Sequence, residues 1–227
     1  MKKENISYPI FDLIKNHEII SAWIRNSYFI TKEMSLTEHG LKHADFISKR
    51  SLEIAKAIDL NIKNQDLVLS ASYCHDIGNF LSRTYHHYFG SMLIFDIFKD
   101  KIDIQDLTII MQAIANHDKE DMKLVHPVAA IVIIADKSDV RRERVLETDL
   151  EKIKLDIHDR VNYSTIENKM TIDNKKKTIT LKLKIDTQYC SIMEYFEIFT
   201  ARMNYCRLSA EYLGYHFGLV INDFKLL

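Results

Sequence analysis

The apolar period of this 227-residue chain changes once, near residue 150. Before that point apolar side chains recur every three or four residues, the spacing of a helix with one buried face. After it, KKTITLKLKID (176–186) alternates, with Ile179, Leu181, Leu183 and Ile185 on one face and Thr180, Lys182 and Lys184 on the other, as in a half-buried strand. Only five glycines and two prolines interrupt the chain, which favours long helices over a turn-rich β fold. The expected fold is mainly α. Residues 1–35 read as an N-terminal helical segment, 36–150 as an all-helical domain, and 151–227 as a small α+β subdomain of antiparallel strands plus one helix.

Local signals set the expected boundaries. SLTE (35–38) has the form of a capping box, with Ser35 as N-cap of a helix reaching about Ile58. Further helices are predicted around His75, over 85–98, and over 103–117. Another opens at His126-Pro127, Pro127 suiting a first turn, and is predicted to run through IIADKSDVRRERV to about residue 145. In the C-terminal part, VNYSTIENKMTID is expected to pair with the alternating strand through a turn at Asp173-Asn174. SIME (191–194) is a second capping box, opening a helix whose Met193, Phe196, Phe199, Met203, Cys206, Ala210 and Leu213 read as a packing stripe. A short strand and a turn at Asn222-Asp223 follow.

Charge and composition exclude some classes. With 31 Lys+Arg against 32 Asp+Glu, net charge gives no reason to expect a nucleic-acid or membrane partner. The longest apolar run, VAAIVIIA (128–135), is too short to span a bilayer. Three widely spaced cysteines without a CxxC pair fit a reducing cytoplasm, and the N-terminus lacks the apolar core of a signal peptide.

Against this background SASYCHDIGNFLS (70–82) stands out. Apolar residues surround it on most helical faces, yet His75 and Asp76 lie in its middle. An unpaired carboxylate in an apolar interior costs several kcal/mol, which a bound cation would offset. His43, His86, His87, His117 and Asp136 each sit where an apolar helical stretch meets a polar end. Imidazoles with carboxylates form a ligand set for divalent transition metals.

The order of a lone His43, then His75-Asp76, then a distant Asp136 lies within HADFISKRSLEIA, CHDIGN and IIADKSD. It resembles the HD domain superfamily of metal-dependent phosphohydrolases over about residues 36–145, and the texture of DIHDRVNYS resembles uncharacterised bacterial members. The resemblance implies His43, His75, Asp76 and Asp136 as ligands of one metal, with His75 and Asp76 at the reacting centre. HHYFG matches an HxxxG pattern that aligns His86, and AIANHD resembles an AIxxHH segment that aligns His117. This second set is similar to that of binuclear HD proteins and implies that Asp76 bridges two ions. Two positions depart from the pattern: Asp118 stands where a second His is frequent, and Asn79 where HDIGK has lysine.

One or two divalent ions (Fe, Mn, Ni, Co, Zn or Mg) are therefore expected, activating water against a nucleotide or other small phosphoester. Lys137, Arg141 and Arg83 are expected to clamp its phosphate, Lys137 and Arg141 sharing a helical face. His39 and His87 are expected to support the site. Two other readings stay open: a di-iron oxygenase on the same ligands, and a non-catalytic metal- or nucleotide-binding regulator. His158-Asp159 lies in a polar stretch without a helical core pattern and reads as structural. Lys175, Lys176, Lys177, Lys182 and Lys184 read as solvated, since no aromatics interleave them for nucleic acid. An apolar face of the C-terminal part could serve a homodimer.

Overall fold

A computed structural model describes residues 6–119 and 122–227. The helices are α1 (Pro9–Lys15), α2 (Glu18–Glu33), α3 (Leu41–Ala57), α4 (Ile62–Cys74), α5 (His86–Phe98), α6 (Ile104–Asn116), α7 (Pro127–Lys137), α8 (Leu150–Leu155) and α9 (Ile157–Ser164). Then come β1 (Thr165–Asp173), β2 (Thr178–Ile185), α10 (Ile192–Tyr212), β3 (His216–Ile221) and β4 (Phe224–Lys225). Single 3-10 turns occupy Ile77–Phe80 and Arg142–Arg144. The fold is mainly α with a small β part at the C-terminal end.

The run VAAIVIIA becomes the central helix. Residues 128–137 of α7 are all buried, and α7 packs on α3, α4, α6 and α10. Helix α4 is buried from Gln65 to Cys74. Neither has a solvated stripe, as expected of helices enclosed on every side. Their charged residues are displaced toward their ends, which is where the chemistry collects.

The sheet has order β1-β2-β3-β4. Strands β1 and β2 form an antiparallel hairpin. Strands β2 and β3 are parallel, with α10 as the crossover between them. Asn222 and Asp223 both have positive φ (47° and 69°), as the tight turn into β4 requires. The inward residues Ile179, Leu181, Leu183 and Ile185 are buried in one apolar cluster that continues into α4 and α7. Helix α10 packs on both α7 and β3, and its Ser191–Glu194 capping box is formed as expected.

Three local expectations are corrected. Helix α3 starts at Leu41, six residues after Ser35, whose φ is 55°. Arg144 straps the intervening segment by donating to the Glu38 carbonyl (3.0 Å), while the Glu38 amide donates to the Arg144 carbonyl (2.8 Å). Glu38 still caps the helix, from outside: its carboxylate accepts from the amides of Gly40 (2.7 Å) and His43 (2.8 Å). Helix α7 stops at Lys137 rather than near 145. The buried Asp139 carboxylate turns the chain back, accepting from His43 Nδ1 (2.9 Å) and Arg141 Nε (2.5 Å). Arg141 therefore shares no helical face with Lys137. It stacks on the Phe46 ring, 3.6 Å from its centroid. Finally, VNYS ends α9 instead of opening β1, and His158-Asp159 lies on that same helix.

Candidate metal centre

Three helices point their C-terminal ends at one place. His75 caps α4, His117 caps α6, and Asp136 is the penultimate residue of α7. The negative ends of the helix dipoles thus meet where a cation would be favoured. His86 opens α5, and His43 lies in the first turn of α3.

The donor atoms fall into two sets that share Asp76. In the first, His43 Nε2 and His75 Nε2 are 3.1 Å apart. Asp76 Oδ2 lies 3.5 Å and 3.3 Å from them, and Asp136 Oδ1 lies 3.5 Å from each. In the second, His86 Nε2 and His117 Nε2 are 3.2 Å apart, with Asp76 Oδ1 at 3.0 Å and 3.6 Å. Each oxygen of Asp76 faces a different set.

The other ring nitrogens fix the tautomers. His75 Nδ1 donates to the Ser72 carbonyl (2.7 Å), His86 Nδ1 to the Arg83 carbonyl (2.9 Å) and His117 Nδ1 to the Ile114 carbonyl (2.7 Å). A carbonyl can only accept, so these Nδ1 atoms carry hydrogen. His43 Nδ1 faces the Asp139 carboxylate in the same way. In the neutral rings the Nε2 lone pairs then face one another in pairs, with carboxylate oxygens beside them. That arrangement repels itself unless a positive charge lies between the atoms. Outer partners that fix the ring in this manner are typical of metal-binding histidines. The donor set therefore fits divalent metal ions.

Charge balance without metal points the same way. Burial opposes the His75 imidazolium, but Asp76 and Asp136 outweigh it and raise its pKa to about 10. Burial lowers His117 to about 4. Burial also opposes the Asp76 and Asp136 carboxylates, yet His75 beside Asp76 and Lys137 beside Asp136 hold both well below the usual range. An unfolded His titrates near ~6.5. The raised His75 pKa adds stability in full below that value, lost as pH rises toward 10. The lowered His117 pKa adds stability above it, lost as pH falls toward 4. Chelator-treated protein should therefore show its highest Tm near pH 6.5 and lose Tm on the alkaline side. A metal ion would replace the His75 proton. Metal-loaded protein should keep its Tm from pH 7 to 9, and parallel melting curves for the two forms would refute this.

The remaining expected residues divide. His39 lines the small cavity over the site. His87 is buried, its Nδ1 has no hydrogen-bond partner among the described residues, and it forms a further donor group with His86 and Asp118. Lys137 Nζ is held by Asp118 (2.5 Å) and Asp136 (3.0 Å). Arg83 donates to Asn79 Oδ1 (3.1 Å) and stands 3.8 Å from Asp76. Asn79, where lysine is the common form, thus positions another cation. Arg141 is turned toward Asp139 and does not line the cavity. Exposed His158 takes no part.

Four contributors were not anticipated: Glu38, Asp139, Arg144 and Arg202. Glu38 and Asp139 hold His43 from its amide and its ring. Arg144 and Arg202 line the cavity. Of these, Asp139 alone carried a signal, as a second acidic residue three after Asp136 in ADKSD.

A family model described as HD domain matches residues 47–163, about half of the chain, with His43 just before the matched span. The chain is also similar to an uncharacterized protein of Methanocaldococcus jannaschii, with 24% identity over 208 residues, 82% of this chain and 79% of that protein. No helix among the described residues is long and apolar enough to cross a membrane.

Proposed function

The chain belongs to the HD domain family, and on that premise we propose that it is a metal-dependent phosphohydrolase acting on a nucleotide or other small phosphoester. One observation carries the reading: the two oxygens of Asp76 face two separate imidazole pairs, 3.3 Å from His75 Nε2 and 3.0 Å from His86 Nε2. A carboxylate so placed suits a bridge between two ions. His43, His75, Asp76 and Asp136 would hold one, and Asp76, His86 and His117 the other, with His87 or Asp118 completing the second set.

Divalent ions in such a site supply hydroxide from water near neutral pH and offset charge on phosphoryl oxygens. The protein's own part is positioning. Helices α4, α6 and α7 fix the ligands, Asp139 and Glu38 fix His43, and Arg83 and Lys137 provide positive charge for the phosphate. Cations around the site favour an anionic substrate over the oxygenase reading that the ligand set alone leaves open.

The test is elemental analysis of protein prepared without chelator or tag metal, followed by phosphoester turnover. About two ions per chain and activity abolished by chelation are expected. About one ion would remove His86 and His117 from the centre. No binding even after reconstitution with Mn, Fe, Co, Ni or Zn would overturn the proposal.

A further inference from the structure

Helix α10 belongs to the C-terminal part, yet it lies across α7, where Cys206 Sγ approaches the Ile134 carbonyl at 3.9 Å. One turn before Cys206, Arg202 lines the same small cavity as Asp76, His117 and Asp136. The other cations there are engaged. Arg83 donates to Asn79, Lys137 pairs with Asp118 and Asp136, and Arg144 donates to the Glu38 and Asp139 carbonyls. Arg202 rests against the Phe199 ring, 4.7 Å from its centroid, and makes no hydrogen bond or ion pair among the described residues. Its donors open into the cavity, and a rigid fork of donors suits a phosphoryl group. Burial and the nearby Arg144 lower the Arg202 pKa. Asp136 and Asp118 offset part of this repulsion, and an anion beside Arg83 and Arg202 would offset more.

Size limits that anion. The cavity itself offers about 20 Å³, little more than one water needs, so an anion would sit at its mouth, toward Arg83, and not inside it. A groove of 380 Å³ adjoins it, sharing Arg83 and Asp118 and lined also by Tyr85 and Tyr88. These two aromatic rings are largely exposed, with centroids 6.4 Å apart.

We propose that Arg202 of α10, with Arg83, clamps the doubly charged terminal phosphoryl group of a phosphomonoester, whose organic part lies in the groove beside Tyr85 and Tyr88. The inference rests on the phosphohydrolase reading and narrows it. Two guanidinium forks match the double charge of a terminal phosphoryl group better than the single charge of a diester. It also gives the C-terminal part a role: it brings a substrate-binding side chain to a centre whose ligands all come from the helical part.

The test uses full-length, metal-loaded protein and the variants R202A, R202K and R207A. Arg207 lies on the exposed side of α10, paired with Glu211 (2.7 Å), and serves as control. Metal content is measured first and should be equal in all four. Binding of inorganic phosphate, followed by calorimetry, should weaken about tenfold or more in R202A. It should weaken less in R202K and stay unchanged in R207A. With phenyl phosphate as probe, R202A should raise KM more than it lowers kcat, and the wild type should prefer this monoester to bis(4-nitrophenyl) phosphate.

If R202A and R202K bind phosphate like the wild type, the Arg202 assignment falls while the phosphohydrolase reading stands. A preference for the diester overturns the monoester assignment alone. Metal-loaded wild type that neither binds phosphate nor cleaves either ester overturns both. Should R202A fail to fold, R202K decides, since it keeps the charge and loses the fork.

Discussion

Asp76→Ala is expected to empty both metal positions and to lower kcat/KM for a phosphoester by roughly a thousandfold or more, with helix content unchanged. The carboxylate is the single group common to the two donor sets, with Oδ2 toward His43 and His75 and Oδ1 toward His86 and His117. Alanine there removes the shared ligand of both sets and leaves the second with His86, His117 and whichever of His87 and Asp118 completes it. The local backbone does not need the side chain, since Asp76 precedes the Ile77–Phe80 turn without making a side-chain cap. Elemental analysis and circular dichroism on the variant decide the matter. Retained metal with surviving activity would mean that the centre lies elsewhere. His158→Ala is the matched control, because His158 is exposed on α9, where Asp156 caps the helix by accepting from the His158 and Asp159 amides. It should change neither metal content nor turnover.

Gly78→Ala should destabilise the protein by about 3 kcal/mol, lowering Tm by roughly 6–12 °C in a chain of this size. A Cβ at position 78 would meet the His86 carbonyl oxygen at 2.1 Å and the Gly90 amide nitrogen at 2.8 Å. Both are backbone atoms of α5, so no rotamer change relieves the clash and the start of α5 must move away. His86 sits on that first turn, so the variant should also lose metal from the second set before the first. Thermal melting with metal stoichiometry tests both effects. An unchanged Tm would show that α5 does not lie against residue 78. The glycine after His75-Asp76-Ile77 is thus required by a close approach of backbone to backbone and not by any unusual φ.

Helix existence and the change of period near residue 150 were legible because they depend on local spacing. The alternation of Ile179, Leu181, Leu183 and Ile185 and the capping box at Ser191 each became the element expected. Helix ends were less legible, because long-range partners set them. Nothing local in SLTE reveals that the carbonyls and amides of Glu38 and Arg144 tie residue 38 to residue 144 and hold the chain extended. The buried Asp139 stops α7 by the same kind of remote pairing, with His43 and Arg144. Among site residues, histidines and aspartates at the ends of apolar runs could be read from the chain. Arg202 could not, since in a sequence it is one arginine on a helix whose stripe is apolar, and only the crossover over α7 brings it to the cavity.

That crossover also couples events in time. His43, His75, Asp76, His86, His117 and Asp136 all leave the ribosome before β2 begins, yet α7, which carries Asp136, packs on α10 at least as extensively as on α3, α4 or α6. Helix α10 is held by α7 as well as by β3, and β3 pairs in parallel with β2, a non-local step of the kind that forms slowly. Docking of α10 on α7 would therefore complete the surroundings of Asp136 and deliver Arg202 in one step, so that on the proposed reading ion binding and phosphate binding would mature together.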